Sequence, residues 1–489
     1  MNILFATSEV VPFARTGGLA DVCAALPTAL ERLGQNVSVV LPAYKSVFNG
    51  DFALKDTGIR FSVPVGSKTV LAKVWKDKIP ESDVPIYFIQ QDAYFDRNEL
   101  YNENGGDYAD NCERFAFFCR AVMEMISVMN LRVDILHSND WQTGLLPALQ
   151  SVLYQKQTAY EHIATVHTIH NLAYQGIFWH WDLPLTGIGW EHFTFSGLEF
   201  YGKMSLMKAG IMFADGVTTV SPQYAREIQS SAFGYGMETA LQFRSPMLRG
   251  ILNGACMKRW NPETDSHIIF QYDRENVLEK KPLCKSNLLE TLGLPQRENV
   301  PLCGVVSRFA HQKGIDLIAE VIPLWVEKHG IQFCLLGKGD REMESRLSAL
   351  ASQYPENVAV RFEFSEELSH KIEAGSDMFL MPSRYEPCGL NQMYSQIYGT
   401  VPVVRDTGGL ADTVTGLSDE TLENGTATGF LISSDDVYGL NTTLWKALDV
   451  YWHRRDVWNQ MIQNGMRQDW SWAKSAVEYV RFYEKLVRK

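Results

Sequence analysis

Short apolar runs alternate with helix-length segments along most of the chain. NILFAT opens as a strand-like run, the turn ARTGG follows, LADVCAALPTALERLG reads as a helix, and NVSVVLP returns to a strand. That is one β-loop-α-β unit. The same order restarts at residue 301, with PLCGVVSR as a strand, HQKG as a loop, IDLIAEVIPLWVEKHG as an amphipathic helix closed by glycine, and IQFCLLGKGD as strand and turn. A third unit runs from DMFLMPS through the loop RYEPCG and the helical LNQMYSQIYG to VPVVRDTGG. Strands separated by single helices build parallel sheets covered on both faces, so the pattern predicts an α/β chain of two Rossmann-like, doubly wound domains.

The alternation breaks in GILNGACMKRWNPETD, where Asn-Gly and Asn-Pro signal turns. The expected divisions are an N-terminal domain over 1–250, a C-terminal domain over 251–465, and a closing helix over 466–489 that packs back on the first domain. Trp452, Trp458, Trp470 and Trp472, with Tyr451, Tyr479 and Tyr483, are expected to dock this C-terminal stretch on other domains rather than to bind ligand.

Composition narrows the partners. A net charge of −12 disfavours nucleic acid and anionic membranes. The eight cysteines form no C-x-x-C pair and most sit among apolar neighbours, as reduced thiols that pack like small hydrophobes do. MNILFATSEV lacks the basic start and longer apolar core of a signal peptide, and no apolar stretch approaches the roughly 18 residues that cross a bilayer. A cytoplasmic chain with no membrane partner is expected.

Doubly wound folds bind ligands beyond the carboxyl ends of their strands, so the loops there carry the candidate chemistry. TGGLAD occurs twice, at Thr16–Asp21 and Thr407–Asp412, each copy after a strand-like run and one in each expected domain. Glycine lets backbone N–H groups approach a phosphate, and a helix N-terminus adds a favourable dipole. The pair therefore suggests that Gly17, Gly18, Gly408 and Gly409 border one cleft shared by the two domains. Arg308 and Lys313 in VSRFAHQKG follow a strand and precede a helix, where two cations could hold a diphosphate leaving group. Glu386 in PSRYEPCGLNQ is placed either to favour a helix dipole or to hydrogen-bond sugar hydroxyls. His170 and Asn171, after IATVHT, and Asp140 and Trp141, after ILHSN, stand at further strand ends, whereas His167 lies within its strand and reads as a core histidine. No D-x-D, H-E-x-x-H, Walker A or G-x-S-x-G motif occurs, so a diphosphate neutralised by Arg and Lys without metal fits these residues.

These motifs, in this order, resemble the bacterial glycogen synthase and plant starch synthase family. The resemblance runs from TSEVVPFARTGGLADV through GDYADNCERFAFF, HSNDWQTGLLP, TIHNLAYQGIF, TTVSPQYAREI, GILNG and WNPETD to SRFAHQKGIDLI, LLGKGD, MPSRYEPCGLNQ, TGGLADTV and GTATGF. It implies a GT-B architecture, two Rossmann-like domains facing an interdomain cleft. It implies transfer of glucose from ADP-glucose to the non-reducing 4-hydroxyl of an α-1,4-glucan with retention of configuration, by front-face attack and with no cofactor or metal. Arg308 and Lys313 would hold the diphosphate, and Glu386 with the backbone of Cys388, Gly389 and Leu390 would grip the glucosyl hydroxyls. His170 would position the donor glucose near its 6-hydroxyl, Gly17 and Gly18 would approach the donor, and Phe364 would lie against adenine. Arg15, Asn391, Gly408 and Gly409 complete the implied donor set, and Asp21, Tyr101, Asp140, Trp141, Asn171 and Asn253 the glucose and acceptor side.

Three positions depart from the family pattern. Arg15 stands where the family has lysine, Ala255-Cys256 where it has Ile-Asp, and Asn391 where it has threonine. A GT-B transferase with another sugar nucleotide or acceptor, and a glucan-binding protein without activity, are the alternative readings.

Overall fold

The computed structural model describes residues 1–103 and 105–487. The chain forms two compact units, one made of Met1–Gly254 with the C-terminal segment from Trp472, the other of Ala255–Ser471. The divisions fall a few residues beyond the expected 250 and 465; positions 488–489 of the expected closing helix lie outside the described residues.

The main sheet of the first unit has nine strands: β1 (Asn2–Ala6), β2 (Asn36–Pro42), β3 (Lys55–Val65), β4 (Lys68–Lys78), β5 (Pro85–Gln90), β6 (Ile135–Asn139), β7 (Ala164–Ile169), β8 (Gly216–Thr219) and β9 (Leu248–Gly250). Their order in the sheet is β9-β8-β7-β6-β1-β2-β5-β4-β3. The strands from β9 to β5 are mutually parallel. β4 and β3 are antiparallel and are joined by a two-residue Gly66-Ser67 turn in which Gly66 has φ +57°, a conformation that two-residue hairpins require. The order reverses between β1 and β6. That switch point leaves an opening beyond the strand ends, because the connections on its two sides run in opposite directions.

The second unit has six strands, all parallel: β10 (Leu302–Val306), β11 (Gln332–Leu336), β12 (Val358–Arg361), β13 (Met378–Met381), β14 (Val401–Arg405) and β15 (Phe430–Ile432). Their order is β12-β11-β10-β13-β14-β15, with the switch point between β10 and β13. The helix Ile315–His329 shows why this sequence folds as it does. Ile315, Ile318, Ile322, Trp325 and Val326 recur on one face and are buried, Asp316 lies in the first turn, and Lys328 and His329 lie in the last.

The C-terminal aromatics divide between the units. Tyr451, Trp452, Trp458 and Trp470 join the core of the second unit, so they do not dock the tail elsewhere as expected. Trp472, Tyr479 and Tyr483, on the helix Trp472–Val487, enter the core of the first unit. Of the eight cysteines, seven are buried free thiols and Cys256 is half-buried. No described helix is long and apolar enough to cross a membrane.

Candidate active site

In the first unit the candidate residues gather on the loops after β1, β6 and β7. The turn after β1 is organised by Glu9, a residue that strand-by-strand reading did not single out. Its carboxylate accepts from the Thr16 N–H at 2.6 Å, the Thr16 hydroxyl at 2.6 Å, the Gly17 N–H at 3.2 Å and the Tyr101 hydroxyl at 2.8 Å. The Gly17 N–H is thus already engaged by a protein carboxylate, and the turn presents Gly18 and the start of the helix Gly18–Arg32. A Cβ built on either Gly17 or Gly18 would meet no atom within 4 Å. Arg15 and Asp21 form an ion pair across this turn at 3.1 Å. Tyr101, also bonded to Ser8 at 2.8 Å, is a brace for the turn, and burial with the Glu9 charge pushes its phenol above the usual range.

Asp140 begins the loop after β6 with φ +53°, a left-handed conformation that Asp tolerates better than most residues. The conformation brings its carboxylate under the loop after β7, where it accepts from the His170 N–H at 2.7 Å and the Asn171 N–H at 3.4 Å. Burial pushes its pKa up to about 7 despite those two hydrogen bonds. The tautomer of His170 follows from its neighbours. The Asn139 amide nitrogen donates to the Ala6 carbonyl at 3.0 Å, so Asn139 Oδ1 faces His170 Nε2 at 2.9 Å and Nε2 carries the proton. Nδ1 is then an acceptor without a hydrogen-bond partner among the described residues. Burial lowers the His170 pKa to about 3, which keeps the ring neutral. His167 is a core histidine, with Nδ1 2.9 Å from the Ser138 hydroxyl. Trp141 packs edge-on against Phe115 at 4.9 Å and beside Phe178 at 5.7 Å, so its ring supports the loop. Asn253 is buried, and its Oδ1 finds no hydrogen-bond partner among the described residues.

In the second unit the two loops that flank the switch point meet. Lys313, in the loop after β10, places Nζ 2.5 Å from Glu386 Oε2, and their side chains are 20% and 7% exposed. The Ser383 hydroxyl donates to the same oxygen at 3.1 Å. A second pair fixes the two loops to each other: Arg384 binds Asp316 through both guanidinium nitrogens, at 2.8 and 2.7 Å, and donates to the His311 carbonyl at 2.7 Å. Arg308, five residues before Lys313, is exposed and has no side-chain hydrogen bond or ion pair among the described residues. The loops therefore offer one unpaired cation, Arg308, and two neutralised by carboxylates, Lys313 by Glu386 and Arg384 by Asp316.

The second TGGLAD serves a different purpose from the first. Gly408 and Gly409 are buried, a Cβ on them would collide with the backbones of Glu386 and Cys388, and the Gly409 N–H donates to the Glu386 carbonyl at 3.1 Å. These glycines seat the Glu386 loop, so the two copies differ in what surrounds them. Cys388 and Gly389 are held in turn, since their carbonyls accept from the Gln392 amide at 3.0 and 3.1 Å. Leu390 precedes the helix Asn391–Ile397, and the Asn391 amide donates to the Val306 carbonyl at the end of β10 at 2.7 Å. That bond turns the Asn391 side chain to the sheet. Phe364 is 80% exposed on the loop after β12.

Residues 2–243 match the model of the starch synthase catalytic domain and residues 293–465 that of glycosyl transferases group 1. The chain is 41% identical to a glycogen synthase of Rhodopirellula baltica, over all of this chain and 98% of the relative. It is 45% identical to one of Koribacter versatilis, over 99% of this chain and 98% of the relative. The catalytic domain of starch synthase IV from Arabidopsis thaliana, solved with ADP and acarbose, superposes with a TM-score of 0.90 at 31% identity over 100% of this chain and 99% of that one. Two Rossmann-like units, a cation-lined loop pair at the switch point of the second and full-length likeness at this level place the chain: it belongs to the glycogen synthase and starch synthase family of GT-B glucosyltransferases.

Proposed function

We propose that the chain transfers glucose from ADP-glucose to the non-reducing 4-hydroxyl of an α-1,4-glucan with retention, and that Arg308, Lys313 and Glu386 do the central work. The observation that carries this reading is the Lys313–Glu386 pair beside the unpaired Arg308. A departing nucleoside diphosphate gathers negative charge as the glycosidic bond breaks. Fixed cations aimed at that charge stabilise the transition state more than the ground state, which is what raises turnover. Arg308 supplies a free bidentate fork for phosphate oxygens. Lys313, partly neutralised by Glu386, can swing toward the diphosphate while Glu386 accepts hydrogen bonds from the glucosyl hydroxyls.

Retention by front-face attack needs no enzyme nucleophile: the leaving diphosphate oxygen takes the proton of the acceptor hydroxyl as the new bond forms. The protein then contributes orientation and exclusion of water. The neutral His170, with Nε2–H tied to Asn139, offers Nδ1 as acceptor for the 6-hydroxyl proton of the donor glucose. Asp140 and Asn171 set the position of that ring through the backbone of the loop. No metal enters this scheme.

The test is a donor panel with glycogen as acceptor. Nucleotide release from ADP-glucose should exceed that from UDP-glucose and GDP-mannose at equal concentration. Turnover of another donor without ADP-glucose would replace this reading, and glycogen binding without nucleotide release from any donor would make the chain a glucan-binding protein.

A further inference from the structure

We propose that His267, Glu366 and His370 in the second unit form a binding site for one divalent transition metal of the zinc class. Glu366 and His370 stand four residues apart on the helix Glu366–Gly375, a spacing that sets both side chains on one face. His267 comes from the turn after Asp265, whose carboxylate accepts its N–H at 2.8 Å. One ligand atom from each of the three lies within 4.8 Å of the others.

The state of His370 points to a ligand. The residue is 1% exposed, and its Nδ1 lies 2.7 Å from Asp265 Oδ2, yet its Nε2 is buried without any hydrogen-bond partner among the described residues. Burying an unpaired polar atom is costly, and native structures rarely leave one unexplained. With Asp265 engaged at Nδ1, Nε2 is the ring atom left to meet a ligand. A carboxylate that orients a histidine from behind is the usual support of a metal-bound imidazole. Asp265 is itself held by the Tyr398 hydroxyl at 2.5 Å. Trp260 stacks on the His370 ring with centroids 3.8 Å apart and planes within 7°, which fixes the plane in which Nε2 points.

The other two ligands are adjustable. Tetrahedral bonds of 2.0–2.1 Å need ligand atoms about 3.4 Å apart, so Glu366, which is exposed, and His267, which is half-buried, must close by about an ångström. Arg259 is bound to Glu366 at 2.6 and 3.2 Å, both contacts on Oε1. The guanidinium lowers the affinity for a cation and makes this a site of moderate strength. Two imidazoles and one carboxylate suit zinc-class metals better than Mg²⁺ or Ca²⁺. A bound ion would tie the segment around Asp265 to the start of the helix that follows Phe364.

The experiment uses the full chain, stripped with chelator and titrated with Zn²⁺. One ion per chain should bind, excess Mg²⁺ should not displace it, and the thermal midpoint should rise. His267→Ala and Glu366→Gln should each weaken binding at least tenfold and abolish the rise in midpoint; neither leaves a buried group unpaired, as His370→Ala would. Cys256→Ser should bind as the parent does, which separates this site from capture by the half-buried thiol. Absence of stoichiometric binding, binding that survives both ligand variants, or binding lost with Cys256→Ser would overturn the proposal.

Discussion

Arg308 and Lys313 carry the same charge on one loop, yet only one of them has a second duty. Lys313 neutralises Glu386, whose side chain is 7% exposed, at 2.5 Å. Arg308 neutralises nothing among the described residues. Lys313→Ala therefore strands a buried carboxylate. Truncating one member of a desolvated, hydrogen-bonded charge pair costs about 2–5 kcal/mol, and the partial exposure of Lys313 places this pair near the lower end, at about 2–3 kcal/mol. In a unit of this length that loss lowers the thermal midpoint by roughly 5–10 °C. Arg308→Ala should stay within about 2 °C of the parent, because a surface substitution seldom exceeds about 0.5 kcal/mol. Both variants should lose roughly 10²–10⁴ in kcat/KM, or about 3–5 kcal/mol of transition-state stabilisation. Adding Glu386→Gln to Lys313→Ala removes the stranded charge, so the midpoint should recover while turnover stays low. Scanning calorimetry and ADP release with glycogen measure the two effects separately. A loss of turnover under fivefold in Arg308→Ala, or an unchanged midpoint in Lys313→Ala, would refute the reasoning.

Asp140, with its pKa raised to about 7 by burial, binds a proton in the folded chain that the unfolded chain releases near its ordinary value, so its contribution to stability falls from about pH 4 to about pH 7 and is flat above. Asp140→Asn keeps the acceptor for the two backbone N–H groups and tolerates φ +53°; it should flatten this part of the stability profile and exceed the parent above pH 7, and an unchanged profile would count against the assignment. His170→Ala should slow turnover of ADP-glucose roughly tenfold to a hundredfold, the size of one lost hydrogen bond to a polar substrate group, and should cost nothing with an ADP-6-deoxyglucose donor; equal losses with both donors would exclude contact with the 6-hydroxyl. Gly409→Ala should lower the midpoint, since overpacking against the Cys388 backbone costs about 1–3 kcal/mol, whereas Gly17→Ala, with open space around its Cβ, should leave the midpoint unchanged; similar effects of the two would undo the distinction between the copies.

The strand and helix grammar was legible because each β-loop-α-β unit is local: NILFAT, NVSVVLP, PLCGVVSR, IQFCLLGKGD, DMFLMPS and VPVVRDTGG all contain strands of the two sheets. The hairpin β3-β4 was not legible, although buried Phe61, Val63 and Val65 alternate with exposed positions in FSVPV, because the Lys, Asp and Arg positions of this edge pair dilute its apolar pattern. The candidate site was legible where a charged residue stands at a strand end, as Arg308, Lys313, Glu386 and Asp140 do. Glu9 satisfies that criterion too, but its partners lie at Thr16, Gly17 and Tyr101, and only the folded chain brings the last of these to it. The two TGGLAD copies show the limit most clearly. Their residues are identical, and what separates them is the neighbour each glycine meets, open space at Gly17 and the Glu386–Cys388 backbone at Gly408 and Gly409. A tertiary contact of that kind leaves no mark in a hexapeptide.

The most direct test of the account follows the transferred carbon. The chain is incubated with a maltooligosaccharide and ADP-glucose labelled with ¹³C at C1, and the product is examined by NMR. The account requires the label in a new α-1,4 linkage at the non-reducing end, with ADP released in equal amount and free glucose scarce. A β linkage, a linkage to another hydroxyl, or label recovered chiefly as free glucose would contradict it.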